Sequence, residues 1–108
     1  MTIAEALATL SVPVTHPPFM GETDEYITYQ MASQQGILYA DGAEAETGVS
    51  YVVDYYTKNP PFSPMIKDIK RLLAAADWTC EVAVETYEED TGFYHISMTA
   101  TAAGEIYG

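Results

Sequence analysis

The sequence predicts an α+β domain in the order α-β-β-β-α-β-β, with two helices on one face of a mainly antiparallel sheet. Three observations favour this fold class. The hydrophobic fraction of 48% is too high for a disordered chain. Two segments have apolar residues at helical spacing, and several others alternate with the period of a strand. At 108 residues, the chain is predicted to be a single domain (1–108), with residues 101–108 as a flexible tail.

The two predicted helices have recognisable start signals. Thr2 and Glu5 have the Thr-x-x-Glu spacing of a capping box, in which each side chain satisfies a backbone N–H of the first turn. Ser63 can act as the N-cap of the second helix, and Pro64 at its first position needs no N–H. The predicted helices cover residues 2–10 and 63–77.

The strands are predicted from alternation and from the turn residues between them. Val49 to Thr57 is the strongest, because valine, tyrosine and threonine dominate it. Residues 11–25 are rich in proline and are predicted to be a loop. The segment 41–48 is acidic and rich in small residues, and it is predicted to be a mobile loop. In the first strand of the final hairpin, Cys80, Val82, Val84 and Thr86 are predicted to share one side. The predicted strands cover residues 26–33, 37–40, 49–57, 79–87 and 93–101.

The charge of the chain is strongly negative, at −12, with sixteen acidic and four basic residues. Non-specific nucleic-acid binding requires lysine and arginine against phosphate, so this class of function is excluded over any large surface. The four bases are close in sequence, which predicts one basic spot on an acidic body. That spot is either a solvated helix face or a contact for acidic loops of a neighbouring subunit. The candidate subunit interface comprises Lys58, Lys67, Lys70, Arg71, Asp41, Glu44 and Glu46.

No catalytic, cofactor or metal site is predicted. His95 is out of phase with the apolar residues of its strand, which favours a surface or partly packed side chain. His16 precedes two prolines in a loop, and Cys80 is typical of a small buried residue. The chain has neither a Gly-rich phosphate loop nor zinc-ligand spacing, and its acidic clusters lack the EF-hand pattern.

Other sequence signals bear on location. No apolar run reaches the ~20 residues needed to span a bilayer. The first residues lack the basic region of a signal peptide. The single cysteine is compatible with a reducing, cytosolic setting. We therefore expect no membrane association.

Two segments resemble a known protein family. Residues 87–95 read Tyr-Glu-Glu-Asp-Thr-Gly-Phe-Tyr-His, and residues 51–58 read Tyr-Val-Val-Asp-Tyr-Tyr-Thr-Lys, just before the main helix. Both resemble segments of the tail-completion (tail-terminator) proteins of long-tailed bacteriophages. The short Ala-Leu helix, the Pro-containing loop and the following strand also fit. The family often continues beyond the histidine with basic and aromatic residues, whereas residues 96–100 contain no base.

The resemblance implies an assembly protein and not an enzyme. Such proteins form a ring, typically hexameric, on the head-proximal end of the tail tube, where they stop tube growth and help to join the head. The implied partners are other copies of the chain, the tail-tube protein and head-connector proteins, without direct nucleic-acid binding. The isolated protein can be monomeric, and the implied location is the virion, or the host cytoplasm during assembly. The candidate joining hairpin comprises Glu88, Asp90, Gly92 and His95, with Gly92 at a positive φ.

Two alternatives from other functional classes remain. The net charge is compatible with an acidic DNA mimic that inhibits a host DNA-binding enzyme, although the acids are grouped in loops and not spaced like phosphates. A small ligand-binding domain or enzyme is the second alternative, and it lacks a recognisable set of site residues. Inhibition of a DNA-binding enzyme would distinguish the first from an assembly protein.

Overall fold

The computed structural model of the chain describes residues 1–38 and 44–103. Within these ranges it contains one five-stranded sheet in the order β1-β2-β3-β5-β4, in which β1 and β2 are parallel and the other pairs antiparallel. The predicted α+β class is confirmed. The elements are α1 (Ile3–Ala6), β1 (Val14–Thr15), β2 (Glu25–Leu38), β3 (Glu44–Thr57), α2 (Ser63–Ala75), β4 (Thr79–Glu88) and β5 (Phe93–Ala103).

The core lies between the sheet and the two helices. The alternation predicted for β3 is confirmed, because Val49, Tyr51, Val53 and Tyr55 are all buried. Helix α1 contributes Ile3 and Leu7 to the same cluster. The other buried apolar residues of this cluster are Ala6, Ile27, Tyr29, Ile69, Leu73, Trp78, Cys80, Ile96, Met98 and Ala100.

Helix α1 has the predicted capping box but is shorter than predicted. The Thr2 N–H donates to Glu5 Oε1 over 2.9 Å, and the Glu5 N–H donates to Thr2 Oγ1 over 3.1 Å. The hydrogen bonds from Thr2 lower the pKa of Glu5. The helix ends at Ala6 and not at residue 10. Thr9 and Ser11 are weak helix formers and Pro13 follows, so the chain continues in turns.

The N-cap of helix α2 lies one residue earlier than predicted. The N-cap is Phe62, which has no side-chain capping bond, so the prediction of Ser63 as the cap is wrong. The Ile66 N–H donates to the Phe62 carbonyl over 3.1 Å and closes the first turn there. Pro64 is consequently the second helical residue, where its missing N–H still costs no intrahelical bond.

The end of α2 has the hydrogen bonds of a Schellman motif. The Trp78 N–H donates to the Leu73 carbonyl over 2.9 Å, and the Asp77 N–H donates to the Ala74 carbonyl over 3.1 Å. Asp77 occupies the left-handed position of this motif, with φ 67°. Glycine is the usual residue there, because a Cβ atom disfavours positive φ.

Replacing Asp77 by glycine is therefore expected to stabilise the protein by about 0.5–1 kcal/mol, because the strain at a positive φ is relieved. Urea denaturation of Asp77→Gly beside the unchanged protein measures this difference. A midpoint equal to or below that of the unchanged protein would show that Asp77 is not strained in this cap.

The central hairpin differs most from the sequence prediction. Strand β2 is continuous from Glu25 to Leu38, because residues 34–36, where a break was predicted, pair with residues 47–49 of β3. A register shift lies between Met31 and Ser33. Residues 44–48 belong to β3, so their assignment to a mobile loop is wrong. Pairing with β2 overrides the weak strand propensity of the glutamate, alanine and glycine in this segment. Residues 39–43 lie outside the described residues.

Within the part of the chain that the structure describes, this hairpin extends beyond its neighbour β5. The last residue of β3 that pairs with β5 is Gly48, opposite Ala103. The β2–β3 ladder continues past that row, from Gly36 opposite Thr47 to Leu38 opposite Glu44. This two-stranded end is called the hairpin arm below. The molecule measures 49 × 26 × 24 Å, in keeping with one long element.

Three strand segments also differ from the sequence prediction, but to a smaller extent. Val14–Thr15 form the short strand β1 inside a predicted loop. Residues 101–103 continue β5, so the predicted flexible tail does not begin at 101, and residues 104–108 lie outside the described residues. A register shift between Val82 and Val84 places Val82 opposite Met98 but Val84 opposite Ser97. Thr86 likewise lies opposite His95. The prediction that Val84 and Thr86 share the side of Cys80 and Val82 is therefore wrong.

Candidate functional site

The open face is the side of the sheet opposite α1 and α2. Cross-strand register aligns Tyr26 of β2, Tyr56 of β3 and His95 of β5 in one row of this face. Thr28 and Asp54 lie in the next row. Because side chains alternate along a strand, these rows point away from the buried residues of the same strands. Thr28 and Asp54 are nevertheless buried.

Aromatic rings cover part of this face in a continuous row. The ring centroids of Phe19 and Tyr26 are 4.2 Å apart, those of Tyr26 and Tyr56 4.6 Å, and those of Tyr56 and His95 4.3 Å, all in stacked geometry. Phe93 packs edge-on against Tyr26 and Tyr56, at 5.5 and 6.2 Å. Aromatic pairs of this kind contribute about 0.5–1.5 kcal/mol each beyond the area they bury. The row joins the loop before β2 to the last strand.

His95 lies between two carboxylates. Its Nε2 is 2.8 Å from Asp54 Oδ1, and its Nδ1 is 3.8 Å from Glu88 Oε2. The Asp54 carboxylate accepts a hydrogen bond from His95 Nε2, whereas Glu88 approaches only to ion-pair distance. The side chain of Asp54 is 12% exposed and that of His95 is 23% exposed. His95 is thus a partly packed side chain, which agrees with its prediction. Its hydrogen bond links β3 to β5 across the open face.

The same surroundings affect the two tyrosines. Burial, with a smaller contribution from the nearby charge of Asp54, raises the pKa of Tyr56 to about 12. Burial also raises the pKa of Tyr26, with a smaller contribution from the charge of Glu88. Both phenols therefore keep their protons at neutral pH and can donate hydrogen bonds from the open face.

Lys58 lies at one end of the aromatic row. Its Nζ is 4.9 Å from the centroid of the Phe93 ring and 3.8 Å from Asp24 Oδ1. The backbone N–H of Lys58 donates to the backbone carbonyl of Asp24 over 3.0 Å, and this bond holds the loop before β2 against the end of β3. A cavity of about 590 Å³ opens here between Phe19, Tyr26 and Phe93. Glu22 and Asp24 also line it.

The four bases are divided between two surfaces. Lys58 belongs to the open face, whereas Lys67, Lys70 and Arg71 are carried by α2 on the other side of the sheet. The predicted single basic spot therefore applies to three of the four bases. Arg71 Nη2 is 3.4 Å from Asp68 Oδ1, one turn away on the same exposed helix face.

Two of the three acidic residues of the candidate interface, Glu44 and Glu46, fall at the hairpin arm. Glu44 is paired with Leu38, and Glu46 with Ile37. Asp41 lies outside the described residues. The structure thus places Glu44 and Glu46 at the end of the long hairpin, and the basic residues of α2 on the helical side of the sheet.

The predicted joining hairpin has the expected turn. Gly92 has φ +80°, which confirms the predicted positive φ, and its N–H donates to the Glu88 carbonyl over 2.8 Å. The Thr91 hydroxyl donates to Glu88 Oε1 over 3.0 Å and accepts from the Phe93 N–H over 3.3 Å. Asp90 lies in the turn and is exposed. Glu88 and His95 lie on either side of this turn, one at the end of β4 and the other near the start of β5, and both face the open side of the sheet.

The remaining reactive side chains lie apart from this face. Cys80 is a buried free thiol, and burial raises its pKa to about 11, which disfavours the nucleophilic thiolate. His16 packs against Tyr29, with ring centroids 4.3 Å apart. Among the residues that the structure describes, no group of three or more histidine, cysteine or acidic residues could hold a metal ion. None of the described helices is long and apolar enough to cross a membrane.

Sequence reasoning missed most of the open face. The alternation of residues 49–57 puts Asp54 and Tyr56 on the face opposite Tyr51 and Val53, but it predicts no partner for them. No side is predicted for Tyr26, and Phe19 lies in the predicted loop of residues 11–25. The available signal was the motif segment 51–58, in which Asp54, Tyr56 and Lys58 all occupy alternate positions and so share a face.

The Asp54–His95 pair can be measured in a double-mutant cycle. We expect a coupling of about 1–2 kcal/mol between Asp54→Ala and His95→Ala, because each change leaves a largely buried polar partner unsatisfied. The matched control is the exposed pair Asp68 and Arg71, where coupling below about 0.5 kcal/mol is expected. Urea denaturation gives all the values, and equal couplings for the two pairs would contradict a structural role for the buried one.

No protein-family model matches the chain, and no curated protein matches it.

Proposed function

We propose that this chain is a phage tail-completion protein that caps the tail tube and helps to form the head–tail joining interface. The observation that carries the proposal is where the two resembling segments lie. Asp54, Tyr56 and Lys58 come from residues 51–58, and Phe93 and His95 from residues 87–95. These five side chains form one network of stacking, hydrogen-bonding and cation–π contacts on the open face.

The open face suits the role of a joining surface. Its rings present tyrosine and phenylalanine, which are enriched in protein interfaces, and its rim is acidic at Glu22, Asp24 and Glu88. The stacked row and the Asp54–His95 bond preorganise this surface before any partner arrives, which reduces the entropy cost of binding. The head side or the tube protein would meet a surface that is already formed.

A ring requires a second, different surface. Head-to-tail contacts between copies use two unlike patches of the same chain. The basic residues of α2 and the hairpin arm with Glu44 and Glu46 supply such a pair, of opposite charge. Among the described residues the arm continues past the last pair of β3 with β5, which supports its assignment as a subunit contact. Exposed ion pairs contribute only ~0–1 kcal/mol each, so the ring is expected to form on the tube and not in dilute solution.

The proposal is tested by removing the chain from the phage that encodes it. We expect full heads, unjoined tails and tubes of uncontrolled length in electron micrographs of the lysate, with joining restored by a plasmid copy. Complete virions at normal yield would overturn the proposal. If normal virions were accompanied by lost inhibition of a host DNA-binding enzyme, the DNA-mimic alternative would replace it.

A further inference from the structure

We propose that the cavity between Phe19, Tyr26 and Phe93 is a receptor for an arginine side chain of the partner protein. The inference deepens the proposed function, on which the identity of that partner rests. The chemistry of the pocket itself can be tested on the isolated protein.

The walls of the cavity are suited to a flat cation. Phe19, Tyr26 and Phe93 all line one space of about 590 Å³. Tyr26 is stacked between Phe19 and Tyr56, so the ring face offered to a cation is that of Phe93, which stands edge-on to Tyr26. The face of an aromatic ring is the negative end of its quadrupole and attracts cations. Glu22 and Asp24 add two carboxylates to the lining. The cavity therefore combines an aromatic face with acceptors for charged hydrogen bonds.

The protein already places one of its own cations at this position. The Lys58 ammonium lies over the Phe93 ring at 4.9 Å and 3.8 Å from Asp24 Oδ1. Both contacts are loose, and the side chains of Lys58 and Asp24 are 41% and 66% exposed. An incoming cation can displace such an ammonium from Asp24 at little cost. Lys58 thus acts as an internal occupant of the pocket.

The balance of charge favours a cation over an anion. Two lining carboxylates face one ammonium, and the charge of Glu88 also acts on Tyr26. The net charge of −12 adds attraction for a basic partner at longer range. Arginine is preferred to lysine, because its planar guanidinium can stack on a ring and pair with a carboxylate in bidentate geometry.

The test is an NMR titration of the isotope-labelled protein with the peptide acetyl-Gly-Arg-Gly-amide. The control peptide replaces arginine by citrulline, which has nearly the same shape without the charge. We expect shifts centred on Phe19, Tyr26 and Phe93, and at least about threefold tighter binding of the arginine peptide. Equal binding of the two peptides, or shifts centred elsewhere, would overturn the proposal.

Two variants at the pocket and one control variant on α2 sharpen the test. Phe93→Leu keeps an apolar side chain but removes the ring, and is expected to weaken binding of the arginine peptide about two- to fivefold. Lys58→Met removes the internal occupant and is expected to strengthen binding by a similar factor. Lys67→Met on α2 changes the net charge equally and should have no such effect. Equal effects of Lys58→Met and Lys67→Met, or weaker binding by Lys58→Met, would contradict a cation receptor.

The result separates the pocket from the proposed function. If the arginine peptide binds as expected while virions form normally without the chain, the pocket exists and the assembly role is wrong. If removal of the chain leaves tails unjoined while both peptides bind equally, the assembly role stands and the arginine receptor is wrong.

Discussion

Reversing the charge of Lys70 and Arg71 together is expected to abolish ring formation on the tail tube while leaving the isolated protein folded. Both residues are exposed on α2. The changes to glutamate therefore remove little packing but place acid against the acidic arm of the neighbouring copy. Repulsion then replaces attraction at each of the repeated contacts in a ring, so effects that are small at one interface accumulate. Sedimentation of tubes with bound protein measures the loss, and circular dichroism checks the fold.

A charge swap supplies the matched control. Adding Glu44→Lys and Glu46→Lys to the reversed protein returns the net charge to that of the unchanged chain and restores opposite charges across the interface. We expect binding to the tube to recover in this fourfold variant and in equimolar mixtures of the two double variants. Full binding by Lys70→Glu with Arg71→Glu alone would contradict the proposed interface. Failure of the swap would show that the acidic side of the contact lies elsewhere.

Replacing Trp78 by alanine is expected to have the largest effect on stability, a loss of about 3–5 kcal/mol. Trp78 is 2% exposed and packs edge-on against Tyr51, with ring centroids 5.6 Å apart. Its Nε1–H also donates to the Met1 carbonyl over 3.0 Å. The residue therefore fixes the end of α2, the first residues of the chain and the sheet at one point. Urea denaturation measures the change.

Trp78→Phe distinguishes packing from the hydrogen bond. It keeps an aromatic ring but cannot donate to Met1, so a loss of about 1–2 kcal/mol is expected. If the phenylalanine variant were as unstable as the alanine variant, the hydrogen bond would outweigh the packing that the structure indicates. If both variants were close to the unchanged protein, Trp78 would not be part of the core.

Much of the fold could be predicted because its signals are local. The capping box at Thr2 and Glu5 and the alternation from Val49 to Tyr55 each depend on neighbouring residues, and both are present in the structure. Residues 44–48 could not be predicted in the same way. Their strand conformation comes from pairing with β2, a contact that local propensity does not encode. The shift near Val84 likewise depends on the partner strand.

The candidate site was predictable only in part for a related reason. The sequence predicts that His95 is out of phase with the apolar residues of its strand, but Asp54 lies 41 positions away in the chain and nothing local links the two. Only the pairing of β3 with β5 brings them within hydrogen-bonding distance. The contribution of Phe19 depends on how a Pro-rich loop returns to the sheet, and loops of this kind have no period to read. The turn at Gly92 was predictable, because glycine tolerates positive φ.

The central claim is that this chain caps a tail tube, and electron microscopy of reconstituted tubes tests it most directly. Purified protein would be added to tubes grown from the tail-tube protein of the same phage, and particles at the tube ends would be averaged. We predict a closed ring of copies on one end of each tube, with the open face accessible to a joining partner. Decoration along the tube walls, or bare ends at saturating protein concentration, would contradict the account.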